Sequence, residues 1–141
     1  PLARVITPNL PEAEALLGGR IPDEEALEPA ARRLAEMFGT AVLLKGGHLD
    51  GGECVDLLFD ARAVRVFRAA RIPVAGSHGT GCTLSAAVAA GLARGEALAT
   101  AVDVAKNYLG ETLRRSYAFQ LNGSETIHAL NQGTIFLENE A

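Results

Sequence analysis

The sequence predicts an α/β domain, and three observations carry that prediction. A short apolar run, "RVIT" (Arg4–Thr7), is followed by helically spaced residues and then by a continuous apolar run, "AVLLK" (Ala41–Lys45), the strand–helix–strand order of a βαβ unit. Two segments that alternate apolar with polar residues, "ECVDLLFD" and "AVRVFRA", flank Asp60–Arg62 and read as a β-hairpin. A glycine loop within "AGSHGTGCTLSAAVAAG" then feeds a run of small and apolar residues with the character of a buried helix.

Taken in order, Arg4–Thr7 is a buried strand end stopped by Pro8. "LPEAEALLGG" reads as a helix with Pro11 first, Glu12 and Glu14 in its first turn, and Gly18 and Gly19 as its stop. Asp23 caps a short helical segment, and Pro29 opens a clearer helix whose buried face is Ala30, Leu34, Met37 and Phe38. Ala41–Lys45 is an interior parallel strand. In the hairpin, Val55, Leu57 and Phe59 take one face and Cys54, Asp56 and Leu58 the other. Two helices follow, about Cys82–Leu92 and Ala97–Arg115, with Gly95 and Glu96 at the joint. The stretch after Tyr117 reads as polar and irregular, so the expected organisation is a domain over 1–116 and an irregular tail over 117–141. About four strands is thin for an open α/β sheet, which averages about five to six. The remaining strands are expected from another segment, another chain or an N-terminal part.

Composition narrows the class. The chain has 141 residues, 48% of them hydrophobic, which suits one domain with a core and argues against disorder. A net charge of −4 argues against a broad basic surface for nucleic acid. No apolar run is long enough for a bilayer, because the run after Cys82 meets Arg94 and Glu96. Cys54 and Cys82 are spaced neither as a metal clamp nor as a redox pair. With no secretory signal in the sequence, reduced thiols in a cytoplasmic protein are expected. The start at "PLARVITPN", without Met, suggests a processed or truncated piece of something longer.

Three polar clusters bear chemistry. Gly79, Thr80 and Gly81 let backbone N–H groups converge, and the following helix adds its unpaired N–H groups and positive dipole end, which together favour phosphate or an oxyanion. The Lys that a Walker A loop requires is absent. Cys82, in the first helical turn, could act as a base or nucleophile, but by spacing alone the reading as a small packed residue at a crowded helix start is preferred. Asn9 and Glu12, three apart at a strand-to-helix junction, suit Mg²⁺ and its waters, or else a plain helix cap; alone, the cap is preferred. Lys45, followed by Gly46 and Gly47, ends the second parallel strand on the edge where α/β sheets meet ligands and can neutralise phosphate. His48 and His78 shape loops, and His128 has no role assigned.

Together and in this order, "TPNLPEAEALLG", "VLLKGGHLDG" and "HGTGCTLSAAVAAGLARG" resemble the C-terminal half of the hydroxymethylpyrimidine/phosphomethylpyrimidine kinases of thiamine biosynthesis, members of the ribokinase-like superfamily; the resemblance spans roughly 1–113. It implies a ribokinase-like three-layer α/β sandwich, here only the C-terminal part: central parallel strands, a β-hairpin and flanking helices. It implies ATP-dependent phosphorylation of hydroxymethylpyrimidine and then of its monophosphate. Asn9 and Glu12 would organise Mg²⁺, largely through water. Lys45 and Gly47 would approach the ATP phosphates, with the hairpin and residues 71–77 near the nucleotide. Gly79, Thr80, Gly81 and Cys82 would form the anion hole. Cys82 would be the catalytic base, reversing the preference that spacing gave; many ribokinase relatives have Asp there.

The same resemblance implies that much of the pyrimidine pocket belongs to a first half that this chain lacks. The expectation is a half-site for ATP, Mg²⁺ and proton removal, inactive alone, that works as a homodimer or with the missing N-terminal half, in the cytoplasm, and with neither nucleic acid nor membrane as partner. Two rival readings are a pyridoxine or hydroxyethylthiazole kinase, and a truncated non-catalytic module that binds nucleotide or a partner chain.

Overall fold

The computed structural model describes residues 2–47, 52–73, 78–121 and 125–133. The chain forms two compact units, Pro1–Arg71 and Ile72–Ala141.

The first unit runs β1 (Val5–Ile6), α1 (Leu10–Leu17), α2 (Leu27–Phe38), β2 (Ala41–Lys45), β3 (Glu53–Asp60) and β4 (Ala63–Ala70). Its sheet has the order β1-β2-β3-β4, with β1 and β2 parallel and the other pairs antiparallel. The expected βαβ unit and hairpin are both present, and β2 is interior. α1 starts at Leu10, with Pro11 second, because Asn9 caps it, and it stops at Gly18, whose φ of 67° is open to glycine at no steric cost. Asp23 Oδ1 accepts the N–H of Ala26, just ahead of α2.

One apolar cluster joins Leu10 and Ala13 of α1, Leu27, Ala31 and Leu34 of α2, Val42 and Leu44 of β2, and Val55, Leu57 and Phe59 of β3. At roughly 1.5–3 kcal/mol for each fully buried large side chain, this cluster is the main stabilising contribution in the unit. The strand residues alternate as the sequence predicts: the opposite face carries Leu43, Asp56 and Leu58, also buried. The α2 face needs correction. Ala30 and Leu34 are buried with Leu27 and Ala31, but Met37 and Phe38 are 53% and 41% exposed. They occupy the last turn before Gly39 and lie beyond the apolar cluster. The hairpin turns on Ala61 and Arg62 alone, at φ 47° and 73°, the geometry of a two-residue type I′ loop that usually holds Asn-Gly.

The second unit contains α3 (Thr80–Ala93), α4 (Leu98–Arg114), β5 (Tyr117–Leu121) and β6 (Glu125–Ala129). α3 and α4 pack together so closely that a Cβ on Gly91 would lie 2.8 Å from Ala101 Cβ, which accounts for the small-residue run. The tail is not irregular as expected. Tyr117 pairs with Ala129 and Phe119 with Ile127 in an antiparallel ladder. The alternation of "YAFQL" and an Asn-Gly pair in the intervening sequence are ordinary hairpin signals, which the polarity of the segment hides.

Candidate functional site

The first unit gathers Asn9, Glu12, Lys45 and Gly47. Parallel pairing of β1 with β2 continues past the strand ends: the N–H of Lys45 donates to Pro8 O at 2.9 Å, and Asn9 and Lys45 form an isolated parallel bridge. The start of α1 is thereby fixed beside the end of β2. Asn9 Oδ1 accepts the N–H of Glu12 at 2.8 Å, and Glu12 Oε2 accepts the N–H of Asn9 at 2.8 Å, a reciprocal capping box. Glu12 is exposed, and its second oxygen, Oε1, has no hydrogen-bond partner among the described residues.

Lys45 is half-buried and stands directly opposite Asp56 in the β2–β3 register. The next residue, Gly46, donates its N–H to Asp56 Oδ1 at 3.0 Å, and a Cβ on it would lie 2.2 Å from Val55 O. Gly46 is therefore a required glycine, because a neighbouring carbonyl occupies the space of a side chain. Arg71 Nη2 donates to Gly47 O at 2.6 Å, and the N–H of Arg71 donates to Gly52 O at 3.0 Å. Asp56 and Arg71 thus brace the strand end that presents Lys45 and Gly47. Sequence reasoning assigned no role to Asp56, although a carboxylate inside "CVDLLF" is an anomaly in an otherwise apolar run. His48 and residues 74–77 lie outside the described residues.

The second unit holds the glycine loop. Gly79, at φ 87°, is the N-cap of α3, and Thr80, Gly81 and Cys82 make the first turn with no side-chain cap. The N–H of Thr83 closes that turn on Gly79 O at 2.8 Å. The three preceding N–H groups have no partner among the described residues, as an uncapped helix start dictates. Cys82 is a free, exposed thiol in this turn. Gly79, Thr80, Gly81 and Cys82 form a continuous turn within one unit, while Asn9, Glu12, Lys45 and Gly47 belong to the other.

The described residues contain no group of three or more His, Cys, Asp and Glu side chains placed to hold a metal. A groove of about 600 Å³ in the first unit, lined by Arg4, Arg32, Phe59 and Asp60 among others, opens at the far end of β2 from Lys45. There Arg4 chelates Asp60 through two hydrogen bonds, which raise the guanidinium pKa above its ordinary value.

Residues 1–128 match the family model described as phosphomethylpyrimidine kinase. The chain belongs to the phosphomethylpyrimidine kinase family. It is 50% identical over 110 residues to a hydroxymethylpyrimidine/phosphomethylpyrimidine kinase of Rhizobium meliloti, covering 77% of this chain and 41% of that protein. It is 49% identical over 114 residues to a thiamine biosynthesis bifunctional protein of Geobacter sulfurreducens, covering 81% of this chain and 23% of that one. Among solved structures, the Staphylococcus aureus pyridoxal kinase in complex with AMP-PCP and pyridoxal superposes with a TM-score of 0.84 at 30% identity, over 96% of this chain and 49% of that kinase. The fold of this family member is therefore the ribokinase-like α/β fold, and the chain spans less than half the length of these relatives. The match to 128 takes in β5 and nearly all of β6, beyond the 113 reached by sequence resemblance. No helix among the described residues is long and apolar enough to cross a membrane.

Proposed function

We propose that this chain supplies the nucleotide, Mg²⁺ and proton-removing part of a kinase that transfers the γ-phosphoryl group of ATP to hydroxymethylpyrimidine and to its monophosphate. The observation that carries the reading is the uncapped Gly79–Cys82 turn, with N–H groups that have no partner among the described residues beside an exposed thiol, in a chain about 50% identical to a kinase of that name.

In phosphoryl transfer a protein chiefly positions groups and neutralises charge. The N–H groups of Thr80, Gly81 and Cys82 stabilise the equatorial oxygens of the group in flight. Lys45 offsets phosphate charge at the end of β2, where Asp56 and Arg71 hold the neighbouring glycines. Cys82 accepts the proton of the attacking hydroxyl. Glu12 fits a water-rich Mg²⁺ site, because its carboxylate keeps one oxygen free while the cap holds the other; Asn9 serves by fixing Glu12. Bound there, Mg²⁺ would neutralise phosphate charge.

The chain alone binds nucleotide without turnover. Activity requires the part of the kinase that it does not span, supplied within a longer chain or by association, and the assembly acts on a small pyrimidine in the cytoplasm as a homodimer. The test is ATP consumption by this chain co-expressed with the portion of the Rhizobium meliloti relative that it does not span, with hydroxymethylpyrimidine and pyridoxal as alternative acceptors. Cys82→Ala is expected to lower turnover by about 10²–10⁴-fold, the usual contribution of a general base. Full turnover in that variant removes Cys82 from the mechanism, and a preference for pyridoxal overturns the substrate assignment.

A further inference from the structure

We propose that the segment Leu130–Gln132 is a strap that positions the phosphoryl-binding turn of α3, and that Gln132 is its positioning residue. The inference rests on the reading of Gly79–Cys82 as that turn. The turn lacks what normally holds a helix start: its N-cap is Gly79, which offers no side chain. Among the described residues, one tie to the rest of the second unit runs through Thr83, which is buried and follows Cys82 directly. The main-chain N–H of Thr83 closes the turn on Gly79, and its hydroxyl oxygen accepts a hydrogen bond from Gln132 Nε2 at 2.8 Å.

Gln132 is itself anchored from the other helix. Tyr108 of α4 donates its hydroxyl to Gln132 O at 2.7 Å, and the N–H of Asn131 donates to O of Thr112, a fully buried α4 residue, at 3.2 Å. Three hydrogen bonds thus lead from α4 through the strap to the first turn of α3. This path does for the turn what a capping side chain does elsewhere, while itself occupying none of the N–H groups of Thr80, Gly81 and Cys82. A Ser or Asp cap would occupy one of those N–H groups. The strap lies just beyond residue 128, where the family match ends.

The test uses this chain and the variants Gln132→Ala, Thr83→Val, Thr83→Ser and the double variant Gln132→Ala/Thr83→Val. Backbone amide exchange is followed across the first two turns of α3, with β3 as an internal control. Affinity for the Mg²⁺ complex of a non-hydrolysable ATP analogue is measured by calorimetry. Gln132→Ala and Thr83→Val are each expected to speed exchange and weaken binding by about fivefold, the factor that a net side-chain hydrogen bond of ~1 kcal/mol supplies. The double variant is expected to be no worse than either single one, because both remove the same bond. Thr83→Ser, which keeps the hydroxyl, restores both readouts, and exchange in β3 does not change.

Unchanged α3 exchange in Gln132→Ala, or single effects that multiply in the double variant, overturns the strap. Faster exchange with undiminished affinity overturns the positioning role alone. A parent chain that binds no analogue overturns the reading of the turn, and the positioning role with it.

Discussion

Replacing Gly46 by alanine tests the architecture of the Lys45 edge. The added Cβ would sit 2.2 Å from Val55 O, where ordinary carbon–oxygen contacts begin near 3.3 Å. About 1 Å of movement is therefore required, and the obstacle is backbone of an interior strand rather than a side chain that can swing away. Either Gly46 moves outward, breaking its hydrogen bond to Asp56, or the ladder opens at the Lys45–Asp56 pair. Overpacking costs about 1–3 kcal/mol. Loss of a hydrogen bond to a charged group costs about 1.5–3 kcal/mol. The sum, about 2.5–6 kcal/mol, is a large part of the 5–15 kcal/mol typical of a whole domain. Urea unfolding measures it, with Gly19→Ala as the control, since a Cβ there meets nothing within 4 Å. Gly46→Ala is expected to unfold at far lower urea, and whatever remains folded is expected to bind the ATP analogue poorly because Lys45 has moved. A Gly46→Ala midpoint equal to that of Gly19→Ala would refute the argument from close approach.

Two further substitutions separate roles that share residues. Glu12→Gln keeps a side chain able to close the capping box, so urea stability is expected to stay within about 0.5 kcal/mol, while the Mg²⁺ dependence of nucleotide binding is lost; calorimetry with and without the metal checks this, and an unchanged dependence removes Glu12 from the metal site. Converting Ala61-Arg62 to Asn-Gly matches the positive φ angles of both positions and is expected to stabilise the first unit by about 1 kcal/mol, read as a higher urea midpoint; no rise would show that the turn carries no strain.

The parts of the fold legible in the sequence are those governed by neighbours along the chain. Asn9, Pro11 and Gly18 mark both ends of α1 because caps are local devices, and the alternation of β3 predicts its two faces because side-chain direction in a strand has period two. What the sequence hides depends on distant atoms. Nothing near Gly46 in the chain shows that Val55 O fills its side-chain position, so it reads as one of several loop glycines. Met37 and Phe38 have the spacing of a buried face, but spacing cannot show that the apolar cluster stops at Leu34. Gln132 lies in a polar stretch that resembles a loose end, and its partner Thr83 is far away along the chain.

Asn9 and Glu12 show why a structural and a catalytic reading of the same residues need not compete. As a helix cap, the pair is complete: each side chain satisfies the other residue's main-chain N–H at 2.8 Å. A carboxylate, however, has two oxygens and about four acceptor sites, and the cap consumes only one of them. The hydrogen bond from the Asn9 N–H to Glu12 Oε2 restrains the side chain, and with it Oε1, before any cation arrives. A divalent cation that prefers strict geometry and keeps most of its waters gains more from one oxygen held in place than from several mobile ones. Under the proposed function the cap would be the device that makes a single acidic residue sufficient, and loss of Asn9 is then expected to weaken Mg²⁺-dependent nucleotide binding as well as the helix.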